Sequence, residues 1–570
     1  MLSNKQFNAA LGIFGALLFA SFILPYHVRP LSTYYNDALV ALGVLLVISL
    51  FAANLKPTLQ LPKIALLPLA IIIVVFVQLL LGVVQFDRVA LPILYLLLAS
   101  AAMLIGANLS SLPNGKEKIC LMMASVHLLA SLLSVIMQGI QITGVNATPF
   151  IMFIERNAQA LRPYANVAQP NQLALLLCLG LASIWWLYQS SRLDRWTSVL
   201  LALVLLWGIT LTQSRIGWII LPLFVMFCFP RRADSKSINR YLLVLLLIAY
   251  LLMVIALPTI SRYLGFFSGS VQEHIGGRSE RLALMQQAWH MALQHPWLGV
   301  GWFGFGAEQV KIAGSFPATI YAEHSHNLVL NLAAELGFPA AVIILCVLAW
   351  WLLQTCVLVK ATRAVQFASL CFIAIFVHSM VEYPMWYAFV LIPFSLLIGM
   401  VHQTRYPSDD VPVPQAALAF CFMLGFALLL WLTVDFQRVV FGYRILNVAP
   451  GAQNSLIEKE LLAKPRLTVF SDYYNYFKLT KLFPREGMDE REIDFVASTT
   501  SRFGYVHALN KLAEVYTLNG APAKAGEVML TLQRLHPFAY GQYFDYWKAQ
   551  SLLDERYRAV FLHIPKRDSE

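Results

Sequence analysis

Residues 64–84 read IALLPLAIIIVVFVQLLLGVV, a stretch with one polar side chain, Gln78, and no charged one. A helix rises about 1.5 Å per residue, so this stretch is long enough to cross a hydrocarbon core of about 30 Å. Backbone groups inside lipid must satisfy their own hydrogen bonds, which a helix does within one segment. The stretch therefore predicts a membrane-spanning helix.

Apolar runs of this kind recur along the chain, which is 59% hydrophobic and only 12% charged. Soluble domains carry about 25% charged residues. The predicted fold class is all-α: a polytopic transmembrane helix bundle of about 13 spans, with a large periplasmic loop and a helical, tetratricopeptide (TPR)-like periplasmic C-terminal domain. We predict spans at 7–25, 37–54, 64–84, 89–108, 119–141, 171–190, 196–211, 216–230, 241–258, 327–354, 365–382, 386–402 and 415–434.

The loop charges predict the orientation of these spans. With a cytoplasmic N-terminus, fourteen lysines and arginines lie in the inside segments and five in the short outside loops. Cytoplasmic loops are the ones enriched in such residues. The predicted domains are transmembrane helices at 1–258, a periplasmic catalytic loop at 259–326, further transmembrane helices at 327–434 and a periplasmic helical tail at 435–570.

The net charge of +11 does not indicate a nucleic-acid partner, because the basic residues lie mainly in short loops between apolar runs. The seven cysteines fall in or beside those runs, and no CxxC spacing for a metal is present. No cytoplasmic segment is long enough for a nucleotide-binding fold. We therefore expect no cofactor and no metal, and a substrate donor that is itself carried by the membrane lipid.

Two histidines and a carboxylate stand directly before an apolar helix, in Glu323-His324-Ser325-His326-Asn327. A histidine can take a proton from a hydroxyl group during group transfer. The alternative is that Ser325 or Asn327 caps the helix and the histidines are only interfacial. Metal binding would need further ligands that the sequence does not reveal.

Two arginines are candidates for binding a phosphate group. Arg215 follows Gln213 at the external tip of a short helical hairpin, and its guanidinium is planar and always charged. The alternative is an interfacial anchor. Arg278 lies beside two glycines in the large external loop, where an ion-pair cluster with Glu280 is an equal alternative.

Amide side chains are dense at residues 162–172, Arg-Pro-Tyr-Ala-Asn-Val-Ala-Gln-Pro-Asn-Gln, just before the sixth span. Amides suit hydroxyl-rich ligands such as sugars, although Pro170 and Asn171 would also begin the span as a helix. Near the external end of the eleventh span, Glu382 follows His378 by one turn, and it can pair with that histidine or hold a basic residue in the site. The predicted substrate-binding residues are Asn166, Gln169, Asn171, Gln213, Asn327 and Glu382.

The tail has a soluble composition, and one part of it has the spacing of a single TPR helix pair with Gly520 in the turn. A solvated helical cap and a partner-docking surface are equal alternatives for this tail. The spacing is carried by Leu509, Leu512, Ala513, Tyr516, Ala525, Met529, Leu532 and Pro537.

Four segments occur in a distinctive order: residues 162–172, Gln213 to Gly217, His324 to Asn327 with Glu335-Leu336-Gly337, and His378 with Glu382-Tyr383-Pro384. Together they resemble the bacterial protein O-oligosaccharyltransferases, which belong to the O-antigen ligase and polymerase superfamily. The resemblance runs from about residue 140 to the tail. The amide-rich stretch favours the protein-glycosylating branch over the lipopolysaccharide branch.

This resemblance implies en bloc transfer of an oligosaccharide from undecaprenyl diphosphate to a Ser or Thr hydroxyl of a pilin or other exported protein. The reaction would take place on the periplasmic face of the bacterial inner membrane, without nucleotide or obligatory metal. By resemblance, His326 is the family's important histidine, and Arg215 and Arg278 are its phosphate-facing arginines. His324 or Glu323 would hold the His326 tautomer, and this choice stays open.

Three other activities are alternatives. An O-antigen ligase acting on lipid A core shares the Arg and His residues but gives less reason for a long helical tail. An O-antigen polymerase shares the donor and differs in its acceptor. A transporter or flippase would place charged or broken helices near mid-membrane, whereas the polar groups here gather at one face.

Overall fold

A computed structural model describes residues 4–53, 59–155, 161–228, 240–268, 280–357, 362–407, 411–446 and 462–567. Its strands are β1 (Leu59–Leu61) and β2 (Val411–Val413), paired antiparallel with Gln60 opposite Pro412. The helices are α1 Asn4–Ile23, α2 Tyr34–Ala52, α3 Leu66–Leu80, α4 Phe86–Ser110, α5 Gly115–Thr143, α6 Pro170–Gln189, α7 Arg195–Thr212, α8 Ile216–Cys228, α9 Arg240–Tyr263, α10 Glu280–Gln294, α11 Phe305–Ile312, α12 Leu328–Leu336, α13 Phe338–Leu352, α14 Arg363–Ser379, α15 Ala388–Arg405, α16 Gln415–Leu446, α17 Ser471–Lys481, α18 Glu490–Phe503, α19 Val506–Leu518, α20 Pro522–Leu535, α21 Pro537–Ser551 and α22 Glu555–Phe561.

The described part of the chain is mostly helical, as predicted, and eleven of its helices are long and apolar enough to cross a membrane. Two further apolar helices, α8 and α14, are shorter than 18 residues. Each of these thirteen helical segments overlaps a predicted span. The protein is therefore a polytopic helical membrane protein, and thirteen crossings remain a prediction because two of the helices are short.

The tenth predicted span, 327–354, is corrected by the structure. The chain forms α12, turns at Gly337 and starts a new helix, α13, at Phe338. Gly337 has φ of +81°, and a Cβ there would overlap the carbonyl group of Trp297. Only glycine adopts this conformation without a steric cost, and only glycine leaves room for that carbonyl. The candidate membrane span consequently runs from Phe338 to Val357.

The chain divides into two compact units, of which the first comprises Met1–Ala70, Tyr95–Gly277 and Cys346–Trp431. Its helices pack around one apolar core. At the crossing of α4 and α15, a Cβ on Gly106 would overlap the Leu396 carbonyl and a Cβ on Gly399 would overlap that of Met103. Small residues let membrane helices approach closely, so these two glycines account for the contact.

The second unit comprises Ile71–Leu94, Arg278–Leu345 and Leu432–Glu570. Its helices α10, α11 and α12 share a core that includes Leu284, Phe305 and Ala334. In the tail, α19 and α20 form the helix pair that the spacing predicted, and Gly520 in the turn has φ of +75°. Most of the predicted contact residues are buried in that pair's cores: Leu509, Leu512, Ala513, Ala525, Met529 and Leu532. The TPR-like assignment of the whole tail stays a prediction.

Candidate functional site

Asn171 is the centre of a buried polar group in the first unit. It stands in the first turn of α6, behind Gln169, whose side chain caps the helix by accepting from the Gln172 backbone N–H at 2.6 Å. The Asn171 Oδ1 accepts from Arg162 Nη2 at 3.0 Å and from Ser214 Oγ at 2.8 Å. The loop before α6, the first turn of α6 and the turn between α7 and α8 therefore meet at one amide.

The fourth part of the chain at this amide is the loop that follows α14. Asn171 Nδ2 donates to Glu382 Oε1 at 2.6 Å, and both side chains are buried. Through Asn171, the Glu382 carboxylate is connected to the guanidinium of Arg162. Both alternatives for Glu382 stay predictions, because this carboxylate reaches Arg162 only indirectly, through the amide.

The break between α7 and α8 is located at the predicted residues. Gln213 ends α7 in the left-handed conformation, with φ of +52°, and its Nε2 donates to the Leu161 carbonyl at 2.7 Å. Arg162 Nε donates to the Thr212 carbonyl at 3.0 Å. The turn and the amide-rich segment are therefore joined by two hydrogen bonds, one donated by each.

Arg215 follows this turn and its side chain is exposed. Within the described part of the chain, no carboxylate pairs with its guanidinium. An exposed, uncompensated arginine keeps its five donors for a ligand, and a phosphate group matches their geometry. Arg278 lies outside the described residues, so its predicted role stays a prediction.

Asn166 is fully buried and its side chain is bonded to backbone. Its Nδ2 donates to the carbonyls of Ile23 and Phe150 at 2.8 Å each, and its Oδ1 accepts from the Met152 N–H at 3.0 Å. In this conformation the amide shapes the loop rather than facing a ligand. Its role in substrate binding is untested and stays a prediction.

Two glutamines of α5 hold the same loop. Gln141 Oε1 accepts from the backbone N–H groups of Tyr164 and Ala165, and its Nε2 donates to the Ala165 and Met152 carbonyls. Gln138 Nε2 donates to the Pro163 carbonyl at 3.1 Å. The loop therefore has a buried polar support inside a membrane helix, where such groups are costly and usually have a function.

The histidine loop, residues 323–327, belongs to the second unit. Asn327 caps α12 by accepting from the Leu330 N–H at 3.0 Å, so of the two predicted caps it is Asn327 and not Ser325. Ser325 is buried, and its N–H donates to Asn331 Oδ1 at 2.9 Å. Helix capping and a chemical role for the histidines are compatible, because the bonds that anchor the loop come from its serine and asparagines.

His326 itself has a positive φ, +55°, and is half-buried beside His324, with the two ring centroids 5.2 Å apart. A non-glycine residue in the left-handed region carries a steric cost of about 1 kcal/mol. Such conformations persist where the surroundings impose them, and they cluster at functional sites. The anchored residues on both sides of His326 impose this one.

Glu335 and Gln78 bind the segment 298–305 next to α12, the helix that follows the histidine loop. Gln78 Nε2 donates to the carbonyls of Leu298 and Glu335, and its Oε1 accepts from the Trp302 N–H at 3.1 Å. The carboxylate of Glu335 accepts from the Phe305 N–H at 3.3 Å. Glu335 lies outside the candidate spans and is fully buried, and burial raises its pKa from 4.5 to about 8. Gln78, which the sequence shows as an isolated polar residue within a span, thus joins the segment 298–302 to α12.

Comparison with known proteins finds two family models that each match part of this chain. Residues 200–345 match the model of the O-antigen ligase family, and residues 366–550 match that of the C-terminal part of virulence factor membrane-bound polymerases. Residues 200–345 of this chain therefore carry an O-antigen ligase family domain. The first match includes Arg215 and His326, and the second extends from α14 into the tail.

Two relatives of this chain come from Acinetobacter baylyi. One, named a general O-oligosaccharyltransferase, is 26% identical over 538 residues, or 92% of each chain. The other, named a ComP-specific O-oligosaccharyltransferase, is 25% identical over 404 residues, or 70% of this chain and 71% of the relative. These findings confirm the resemblance, and they place this protein among the glycosyltransferases.

The sequence-based prediction missed several residues of the candidate site. Arg162 lies in the quoted motif but was not singled out, although it is the only charged residue among the amides. Gln138 and Gln141 carried a weak signal, as two amides one turn apart in an apolar span. Glu335 carried a stronger one, because a carboxylate in an apolar helix requires a partner.

Proposed function

We propose that this protein transfers an oligosaccharide en bloc from undecaprenyl diphosphate to a Ser or Thr hydroxyl of a pilin or other exported protein. The reaction takes place on the periplasmic face of the bacterial inner membrane, with the N-terminus cytoplasmic and the tail periplasmic. The observation that carries the proposal is the loop conformation of His326, an imidazole held in a costly backbone geometry by the buried Ser325 and the helix cap Asn327. The names of the two relatives support a protein acceptor.

In the proposed reaction the acceptor oxygen attacks the anomeric carbon of the first sugar. The new C–O bond forms as the bond from that carbon to the diphosphate breaks, and the hydroxyl proton passes to His326. Attack opposite the leaving group inverts the anomeric configuration. His324, whose ring lies beside that of His326, orients it.

The leaving group of this reaction is a lipid diphosphate, which gains negative charge as the bond breaks. Cations that are already in place stabilise that charge without reorganisation. We assign this role to Arg215, which is exposed and has no carboxylate partner among the described residues, and to Arg278. The amides of Gln169, Asn171 and Gln213, with Glu382, hold the segment beside Arg215 in place.

A second candidate is transfer of O-antigen to lipid A core, or polymerisation of O-antigen. The two family matches favour it, since one describes O-antigen ligases and the other membrane-bound polymerases. These activities use the same donor chemistry and differ in the acceptor, so the acceptor is the discriminating observation.

The test is glycan transfer in a bacterial host that lacks its own ligases and supplies a lipid-linked oligosaccharide and a pilin. The host carries the intact protein, its His326→Ala variant, or a His563→Ala variant as the matched control, because His563 is an exposed histidine of the tail. We expect glycosylated pilin with the intact protein and the control, and none with His326→Ala. Glycan on lipid A core, or longer lipid-linked chains with bare pilin, would replace the proposal by the second candidate.

A further inference from the structure

The segment that leads into the histidine loop is bound to the tail within the second unit. The N–H of Thr319 donates to the Arg534 carbonyl at 2.7 Å, and that of Tyr321 donates to the Leu535 carbonyl at 3.2 Å. The Tyr321 hydroxyl donates to the Arg502 carbonyl at 3.2 Å. The tail therefore pairs with this segment through backbone groups, and the pairing extends to within three residues of His324.

Arg502, in the last turn of α18, continues this contact with its side chain. Its Nη1 donates to Glu323 Oε1 at 3.2 Å and its Nε to Asp472 Oδ2 at 2.8 Å. Asp472 also accepts from Arg88 Nε at 3.2 Å. Two guanidinium groups and two carboxylates thus alternate in one ion-pair network, and Glu323 is its end nearest the histidines.

The network is largely buried from solvent at Arg502 and exposed to it at Glu323. The Arg502 side chain is 14% exposed, that of Asp472 16% and that of Glu323 50%. Burial opposes the charged form of Arg502, but the carboxylates of Glu323 and Asp472 outweigh it and raise the pKa above its usual value. Arg502 is therefore a fixed cation, from which the more exposed Glu323 takes its position.

The histidine loop is consequently held at both ends. Asn331, through the Ser325 N–H, and the Asn327 cap hold the residues on both sides of His326, and Arg502 anchors the N-terminal end of the loop through Glu323. The contact with Arg502 adds a third restraint to the left-handed conformation of His326, which has a steric cost. The tail and the histidine loop are therefore bonded directly to each other.

We propose that Arg502 is a positioning residue of the transfer reaction, which acts through Glu323 to hold the histidine loop in its reactive conformation. This inference rests on the proposed function, because it requires that His326 takes part in the reaction. It makes the tail a component of the catalytic machinery in addition to any docking role. The proposal also gives Glu323 and His324 different roles, because the Glu323 carboxylate is paired with Arg502 of the tail.

The test measures kcat and KM for the acceptor with purified full-length protein in proteoliposomes, using the extracted lipid-linked oligosaccharide and purified pilin. The variants are Arg502→Gln, Glu323→Gln and the double variant. Glu323→Gln leaves the pair of Arg502 with Asp472 in place, so it tests the contact without disturbing the fold. The control is Arg485→Gln, which breaks the exposed tail ion pair of Arg485 with Glu492.

We expect each single variant to lower kcat by about tenfold to a hundredfold, the range that misplacement of a catalytic group produces, with KM nearly unchanged. The double variant should lose no more than the worse single variant, because both remove one contact. Unchanged kcat in Glu323→Gln, or losses that multiply in the double variant, would overturn the proposal. If intact protein glycosylates another acceptor instead of pilin, the proposed acceptor is wrong, and the same kcat ratios on that acceptor still decide the role of Arg502.

Discussion

Asn171 donates a hydrogen bond of 2.6 Å to Glu382, a residue 211 positions further along the chain. The same amide accepts from Arg162 and Ser214, so one short side chain joins four segments of the first unit. Since buried polar groups without partners are costly, each of these residues depends on the others. The arrangement keeps the turn that carries Arg215 in a fixed position.

Replacing Asn171 by Ala should destabilise the protein by about 1–3 kcal/mol, because the half-buried Arg162 and the buried Ser214 and Glu382 lose a partner. The measurement is the thermal midpoint of unfolding in detergent, together with glycan transfer in the host described above. Glu382→Gln should cost less, because the glutamine carbonyl still accepts from Asn171. The control is Asn146→Ala, at an exposed position. Equal midpoints for the two alanine variants would contradict this account.

Replacing Arg215 by Gln should leave stability unchanged and lower transfer by about a hundredfold. Stability does not change because no described carboxylate pairs with this exposed guanidinium. Transfer falls because the developing charge of the leaving diphosphate loses one pre-placed donor, an effect of about a hundredfold or more in other enzymes. Thermal unfolding and initial transfer rates measure the two quantities. Arg195→Gln, another exposed arginine in this unit, is the control, and equal rates for both variants would exclude the role of Arg215.

Replacing His326 by Gly should separate stability from activity. Glycine adopts a φ of +55° without steric cost, so His326→Gly should be more stable than His326→Ala by about 1 kcal/mol. Both variants lack the imidazole and should lose transfer. Chemical denaturation and transfer assays on the two proteins give the comparison. A glycine variant no more stable than the alanine variant would show that the loop leaves this conformation once the ring is removed.

The pKa of Glu335 predicts a pH dependence of stability. Burial raises this pKa from 4.5 to about 8, so between these values the folded protein keeps a proton that the unfolded chain has released. Stability should therefore fall as the pH rises from about 5 to about 8, by at most about 1.4 kcal/mol per pH unit, and level off above that range.

The matched variant for this prediction is Glu335→Gln, which keeps an acceptor for the Phe305 N–H but cannot lose a proton. The measured quantity is the difference in thermal midpoint between the intact protein and this variant at pH 5, 6, 7 and 8. The thermal midpoint of the intact protein should fall relative to that of Glu335→Gln as the pH rises. A difference that stays constant over this range would mean that Glu335 titrates near its usual value.

Much of the fold followed from local properties of the sequence. The apolar runs predicted the helices because a backbone in lipid has few other ways to satisfy its hydrogen bonds. The break at Gln213 followed from a polar interruption, and the structure ends α7 there. The tenth span was wrong at its start, because the turn at Gly337 depends on the nearby Trp297 carbonyl, which a local hydropathy pattern does not contain.

The sequence by itself determined the candidate residues for the chemistry: His326 before a helix, Arg215 in a turn and the amides of residues 162–172 are all local patterns. Only the tertiary structure decided how these residues are held. The partners Asn171 with Glu382 and Arg502 with Glu323 lie far apart along the chain. Such pairs are selected by helix packing, which excludes water and leaves each polar group to the partner within reach, so no pattern of spacing reveals them.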